Sequence, residues 1–250
     1  MWTYLAILLS LLLLASVFVR RVFLYLKEKK SPQEEVLAKV EKEEEVFVEK
    51  AKKLSKSESE EVEELNEKAE SALKVGKEDE AIKYFVQALA LDELHVETQH
   101  KLAMLYMKKE MFSAAAALFK SLGDITKEAV HYSHQGLALY KQNLFEEAKV
   151  AYQKAVDLDP SRPQRFVSLA QVYRSLGQIN NAVVALGKAV DMDRENSELL
   201  FLLIDLQAEL GNHNEALEIV GKVLELNPND EEAKSYIKTL KAARKQAEEE

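Results

Sequence analysis

Phe145-Glu146-Glu147-Ala148-Lys149-Val150-Ala151-Tyr152-Gln153-Lys154-Ala155-Val156-Asp157-Leu158-Asp159-Pro160 is the clearest copy of a pattern that recurs along this 250-residue chain. Glu78-Asp79-Glu80-Ala81-Ile82-Lys83-Tyr84-Phe85-Val86-Gln87-Ala88-Leu89-Ala90-Leu91-Asp92 is a second copy. Asn214-Glu215-Ala216-Leu217, running on to Leu224-Glu225-Leu226-Asn227-Pro228, is another. Ala81, Ala115, Ala148, Ala182 and Ala216 follow one another at 34, 33, 34 and 34 residues. Ahead of each alanine lies a second helical pattern, as in Leu102-Ala103-x-x-Tyr106 and Leu169-Ala170-x-x-Tyr173. A fixed period of this length marks a repeat architecture, in which no single copy can bury its apolar face and the copies must stack.

These copies resemble the tetratricopeptide-repeat (TPR) family, whose unit is two antiparallel helices in about 34 residues. The resemblance places repeats at 62–95, 96–128, 129–162, 163–196 and 197–230. Its small residue in the first helix falls on Ala69, Ala103, Gly136 and Ala170, with Ile204 departing from the pattern. Its large residue in the second helix falls on Phe85, Phe119, Tyr152, Leu186 and Val220. Pro160 and Pro228 take the closing proline, while Glu93 and Arg194 replace it elsewhere. Small residues let paired helices approach closely and large ones fill the space beside them. Gly76, Gly177 and Gly211 stand between helices, where a C-terminal cap needs the left-handed conformation; Asn143 tolerates it, and Glu110 is the odd one out. The second repeat is a residue short near Ser121-Leu122-Gly123, which implies that its second helix ends early. Beyond Asp230, Ala233, Tyr236, Ile237 and Leu240 make one apolar stripe, the expected capping helix with a charged tail over 231–250. The expected fold class is all-α: a right-handed superhelical TPR solenoid preceded by a single transmembrane helix.

Composition agrees with helix. Gly (7) and Pro (4) are too scarce for the turns of an all-β chain. A net charge of −9 argues against a nucleic-acid partner, which wants a basic face. There is no cysteine, so disulfides, thiolate metal sites and cysteine nucleophiles are all excluded.

The expected membrane segment is the uncharged run Trp2 to Val19. Eighteen residues at about 1.5 Å each match the thickness of a bilayer core. Trp2, Tyr4 and Tyr25 suit its interfaces. No basic residue precedes the run, and Val17-Phe18-Val19-Arg20-Arg21 is a poor cleavage context, so an anchor over 1–30 fits better than a cleaved signal. Arg20, Arg21, Lys27, Lys29 and Lys30 follow the span, which by the positive-inside rule puts the repeats in the cytoplasm. Residues 31–61 read as a charged helical linker. Val40, Phe47 and Leu54 recur at seven, but Glu44 interrupts the neighbouring row, and a solvated spacer is the simpler reading.

The TPR resemblance implies a ligand groove lined by first helices, with Met104, Met107, Leu137, Tyr140, Val167, Gln171, Arg174 and Phe201 as its protein-binding residues. Asn66, Glu70, His100, Ser133 and Asp205 share the same register. An apolar stretch there implies an apolar or amphipathic peptide segment as ligand. The basic clamp by which chaperone-binding TPR domains hold a carboxylate would need cations where Asn66, Glu70, His100 and Met104 stand, so that clamp is not expected.

No catalytic residue, cofactor or metal ligand emerges. His131 and His134 share a helix face, but nothing in the sequence nominates further ligands. Phosphate loops, nucleophile elbows and zinc-protease motifs are missing. The chain therefore reads as a cytoplasm-facing, membrane-anchored scaffold, similar in layout to bacterial inner-membrane TPR proteins and suited to envelope assembly. The alternative is an outward-facing, periplasmic chaperone or assembly factor for secreted clients.

Overall fold

The computed structural model describes residues 56–249, which are helical throughout and joined by short turns. The expected membrane span and most of the linker lie outside the described residues. Among the described residues no helix is long and apolar enough to cross a membrane.

Eleven helices follow one another: α1 (Lys56–Lys74), α2 (Glu78–Leu91), α3 (Val96–Lys108), α4 (Phe112–Thr126), α5 (Ala129–Lys141), α6 (Phe145–Leu158), α7 (Pro163–Ser175), α8 (Ile179–Met192), α9 (Ser197–Glu209), α10 (His213–Leu226) and α11 (Glu231–Glu249). The first ten form five consecutive pairs. From α2 onward each helix packs against the next in sequence, and α5 also touches α7, the first helix of the following pair.

The turn inside every pair is built alike. Gly76, Glu110, Asn143, Gly177 and Gly211 all have positive φ, between 57° and 78°. In each case the next residue's N–H bonds back to a carbonyl five residues earlier: Lys77 to Ala72, Met111 to Tyr106, Leu144 to Leu139, Gln178 to Tyr173 and Asn212 to Gln207. This is a Schellman cap, and it reverses the chain while satisfying the last carbonyls of the first helix. Glu110 takes the left-handed conformation despite its Cβ, at a cost of about 1–2 kcal/mol. The capping bonds and the packing of both helices hold it there.

Helix α4 corrects one expectation. It does not end early; at 15 residues it is one residue longer than α2, α6, α8 and α10. The shortening falls on the connection instead, where only Lys127 and Glu128 separate α4 from α5. Lys127 closes the helix in the left-handed conformation, its N–H bonded to the Gly123 carbonyl at 3.0 Å.

The core is a chain of clusters, most of which bridge one pair to the next. Ala69, Ala72, Ala81 and Phe85 meet Leu102 and Leu105 of the following pair. Ala103, Ala115 and Phe119 meet Ala138. The largest cluster runs from Ala148 and Tyr152 through Leu186 to Leu199 and Leu206. Leu200, Ile204, Val220 and Val223 are closed by Ala233 and Leu240 of α11. The five repeat alanines are fully buried.

Side-chain volumes within the pairs compensate. Where the first helix offers Ala69, Ala103 or Gly136, the second brings Phe85, Phe119 or Tyr152; where the first brings Ile204, the second offers Val220. The tightest case is Gly136, where an added Cβ would stand 2.9 Å from three ring atoms of Tyr152. That ring is nearly buried, and burial pushes its phenol up to about 12. Gly123 is held likewise against Tyr132, whose hydroxyl donates to Asp124 at 2.8 Å. Gly136→Ala should therefore destabilise the chain by about 1–3 kcal/mol in urea unfolding. Tyr152→Leu in the same chain should recover part of the loss; an unchanged midpoint for Gly136→Ala would contradict the close packing.

Candidate functional site

The first helices carry the candidate site. Between α5 and α7 lies an open hollow of about 470 Å³. Leu137 and Tyr140 line one side, Gln164 and Gln171 the other, and Tyr152 of α6 contributes from beneath. Lys141 ends α5 on this face, and Arg162 stands just before α7. Ser133, His134 and Ser168 complete the interior. Leu137 is 37% exposed although its neighbours Gly136 and Ala138 are buried, so it is presented to solvent by the helix register. The Tyr140 ring rests on Phe145 at a centroid distance of 5.3 Å, and its hydroxyl is 3.1 Å from the Ser175 hydroxyl across the hollow.

The start of α7 is fixed from the preceding turn. Arg165 is buried, pairs with the Asp159 carboxylate at 2.6 Å and donates to the Asp159 carbonyl at 2.7 Å. The Ser161 hydroxyl and N–H, followed by Arg165, hold the Asp159 carboxyl down at about 2. Arg165 is thus committed to structure.

Of the residues expected in the groove, Leu137, Tyr140 and Gln171 share this hollow. Met104 is 44% exposed on α3, and Met107 packs partly against the core beside Ala103 and Phe119. Val167 requires a correction. It is 4% exposed and belongs to the large core cluster, because its side of α7 faces neighbouring helices and not the hollow. Arg174 is engaged by Glu209 at 2.7 Å. Phe201 stacks on Tyr236 of α11 at 5.7 Å, and Tyr236 donates to Asp205 at 2.5 Å. Gln164, Ser168, Lys141 and Arg162 were not expected in the site. Gln164, Ser168 and Gln171 are spaced four and three apart, so the helical register could have grouped them.

At the first pairs, Asn66 is buried and accepts from the Thr98 hydroxyl at 2.7 Å, while Lys101 bridges Glu70 and Glu97. A buried amide and a paired carboxylate there are unsuited to holding a carboxylate ligand.

Tetratricopeptide-repeat sequence models match residues 65–93, 132–162 and 174–243, together just over half of the chain. The chain is a tetratricopeptide-repeat protein. Several solved TPR structures share its fold. A MamA structure is 23% identical, covers 68% of this chain and 93% of its own, and superposes with a TM-score of 0.62. MamA 41-end from Desulfovibrio magneticus RS-1 is 19% identical over 68% of this chain and 97% of its own, at 0.59. YrrB, described as a TPR protein with an unusual peptide-binding site, is 20% identical over 68% and 88%, at 0.57. At these identities the likeness is one of fold. As a TPR array, the chain is a scaffold for protein–protein contacts.

Three histidines gather beside the hollow. His100 of α3 lies 5.6 Å from His131 and 6.5 Å from His134, ring centre to ring centre, and His134 rests 4.9 Å from the Phe119 ring. Among the described residues no group of three or more His, Cys, Asp or Glu is placed to hold a metal ion. The Nδ1 atoms of His131 and His134 are buried without a hydrogen-bond partner. Burial lowers the His131 pKa from 6.5, with Glu128 opposing and His100 adding to the lowering. Burial also lowers His134, with His100 and His131 adding to it.

Both rings are therefore poorer bases in the folded TPR protein than in the unfolded chain. Above 6.5 both states hold them neutral, and this source of stability is fully present. As pH falls below that value the unfolded chain takes up protons first, so stability falls through the window under 6.5. The urea midpoint should be lower at about pH 5.5 than at about pH 7.5, and His131→Gln/His134→Gln should flatten that slope. Equal slopes for the two proteins would contradict the assignment.

Proposed function

We propose that this TPR protein is a membrane-anchored adaptor whose repeats face the cytoplasm and bind apolar or amphipathic segments of partner proteins on the first-helix face, in envelope assembly. The observation that carries the reading is the open hollow between α5 and α7, with Leu137 exposed and Tyr140 and Gln171 on its walls. Met104 extends apolar surface along the same face of the preceding repeat. Large apolar side chains held out of the core by a well-packed scaffold mark an interaction surface, and methionine adapts to varied partners. YrrB is described as having a peptide-binding site, and a peptide segment is the ligand proposed here.

The membrane part of the reading rests on the uncharged run from Trp2 to Val19 and the five basic residues after it. Anchoring would hold the repeats near the bilayer and raise the local concentration of any partner they capture. No catalytic role is proposed.

In-cell crosslinking followed by fractionation and capture tests both parts. The chain should be recovered in the membrane fraction; recovery in the soluble fraction would remove the anchor from the account. The partners captured by the wild type should drop at least about tenfold with Met104→Glu/Leu137→Glu, a loss on the scale of truncating interface anchors. They should persist with Val150→Glu, a charge placed on an exposed position of α6. Both variants should keep the wild-type helical circular dichroism. An unchanged partner set with the Met104→Glu/Leu137→Glu variant would contradict the groove.

A further inference from the structure

The chemistry of the α5–α7 hollow selects its ligand more narrowly than the apolar walls alone. In a chain of net charge −9, with 43 Asp and Glu, none of the residues lining this hollow is acidic. Lys141 and Arg162 stand on its rim, both exposed and neither paired with a carboxylate among the described residues. The third cation, Arg165, is neutralised by Asp159. Hollows at the N-terminal end of the array are of mixed charge: one is lined by Glu64, Glu67 and Glu80 with Lys68 and Lys77, another by Glu78, Asp79 and Glu80 with Lys77, Lys83 and Lys109. Some cations facing neighbouring helices are committed, Arg174 to Glu209 and Lys154 to Asp124, while Lys188 lies over the Phe166 ring. Lys141, at the end of α5, and Arg162, before the start of α7, thus stand as uncommitted cations on a hollow with no acidic lining.

We propose that the α5–α7 hollow receives a linear segment of a partner protein in which Asp or Glu residues flank an aliphatic or aromatic side chain. This rests on the groove reading above and specifies its ligand. The apolar side chain would lie against Leu137 and Tyr140, and the acidic residues would reach Lys141 and Arg162. The Gln164 and Gln171 amides line the hollow and can hydrogen-bond the segment's backbone. His134, held neutral by burial, adds no positive charge near pH 7.

Charge also makes the site selective. The repulsion between an acidic segment and a chain of net −9 is screened beyond about 8–10 Å at physiological salt, whereas the two rim cations act within that range. Rim charges of this kind set encounter rate and partner choice, and reversing both weakens binding through a slower encounter. Two cations are too few to neutralise a nucleic-acid backbone against the same net charge.

The test is selection of a random peptide display library against the purified full-length chain in lipid nanodiscs, repeated with Lys141→Glu/Arg162→Glu and with Leu137→Asp. The proposal expects selected peptides rich in Asp or Glu beside an aliphatic or aromatic residue. It expects a representative peptide to bind at least about tenfold more weakly to Lys141→Glu/Arg162→Glu, and to lose affinity as salt is raised. Lys141→Gln/Arg162→Gln should fall between the two. Peptides that depend on Leu137 but carry no acidic bias would overturn this proposal and leave the groove reading standing. Peptides indifferent to all the variants would overturn both. Self-association abolished by Leu137→Asp, with no peptide selected, would assign the hollow to a second copy of the chain and overturn the proposal.

Discussion

The structure depends on how closely the two helices of each pair can approach. Ala69, Ala103, Gly136 and Ala170 remove side-chain bulk from the first helix, and Phe85, Phe119, Tyr152 and Leu186 occupy the space that this creates. Interiors packed to crystal-like density tolerate neither a void nor an extra methyl at such a contact. The last pair meets the same constraint with the volumes exchanged, Ile204 against Val220. Along the array, bulk on one helix is thus exchanged against bulk on the other, and residue identity varies within that exchange. Burying one of these large side chains is worth about 1.5–3 kcal/mol. A single pair has too few of them to offset the conformational entropy of its helices. The clusters that bridge successive pairs supply the remainder, and the polar-backed α11 closes the last one.

Function follows from what this packing leaves over. A helix wedged between its partner and the next pair still has one face free, and on the first helices that face can carry residues chosen for a ligand. Leu137 illustrates the division: Gly136 and Ala138 beside it are buried in the stack, while Leu137 is turned outward. Arg165 shows the reverse, a charged side chain drawn into the scaffold to lock the entry of α7 through Asp159. Met104, Leu137, Tyr140 and Gln171 are displayed by a framework whose rigidity comes from elsewhere. The proposed membrane anchor would place that display next to the bilayer.

Much of the fold was legible because one period dominates the sequence. The alanines at 34-residue spacing and the small–large pairing were enough for an all-α TPR array, and the apolar stripe of α11 was visible in the same way. Two details escaped for physical reasons. Glu110 adopts the left-handed turn because capping bonds and packing outweigh its intrinsic preference. The residue missing from the second repeat shortens the α4–α5 connection, because a second helix already wedged between its neighbours gains more by staying helical than a loop does by keeping its length. The site was less legible. A helical register places residues on a face, but whether a position near its edge is open depends on the neighbouring helices: Val167 is covered and Leu137 is not. Phe201 and Arg174 met partners, Tyr236 and Glu209, that lie a full repeat further along the chain. The cations at the two ends of the hollow, Lys141 at the end of one helix and Arg162 in the turn before another, depend on how α5 and α7 lie side by side, which periodicity alone does not reveal.

The central claim is that partners are held in the hollow between α5 and α7. Site-specific photocrosslinking in living cells tests it most directly, with benzoylphenylalanine installed at Leu137 in one strain and at the exposed Val150 of α6 in another. The account predicts discrete adducts from position 137 and none of the same species from position 150. Adducts from position 150 with none from position 137 would contradict it and move the binding face to the second helices.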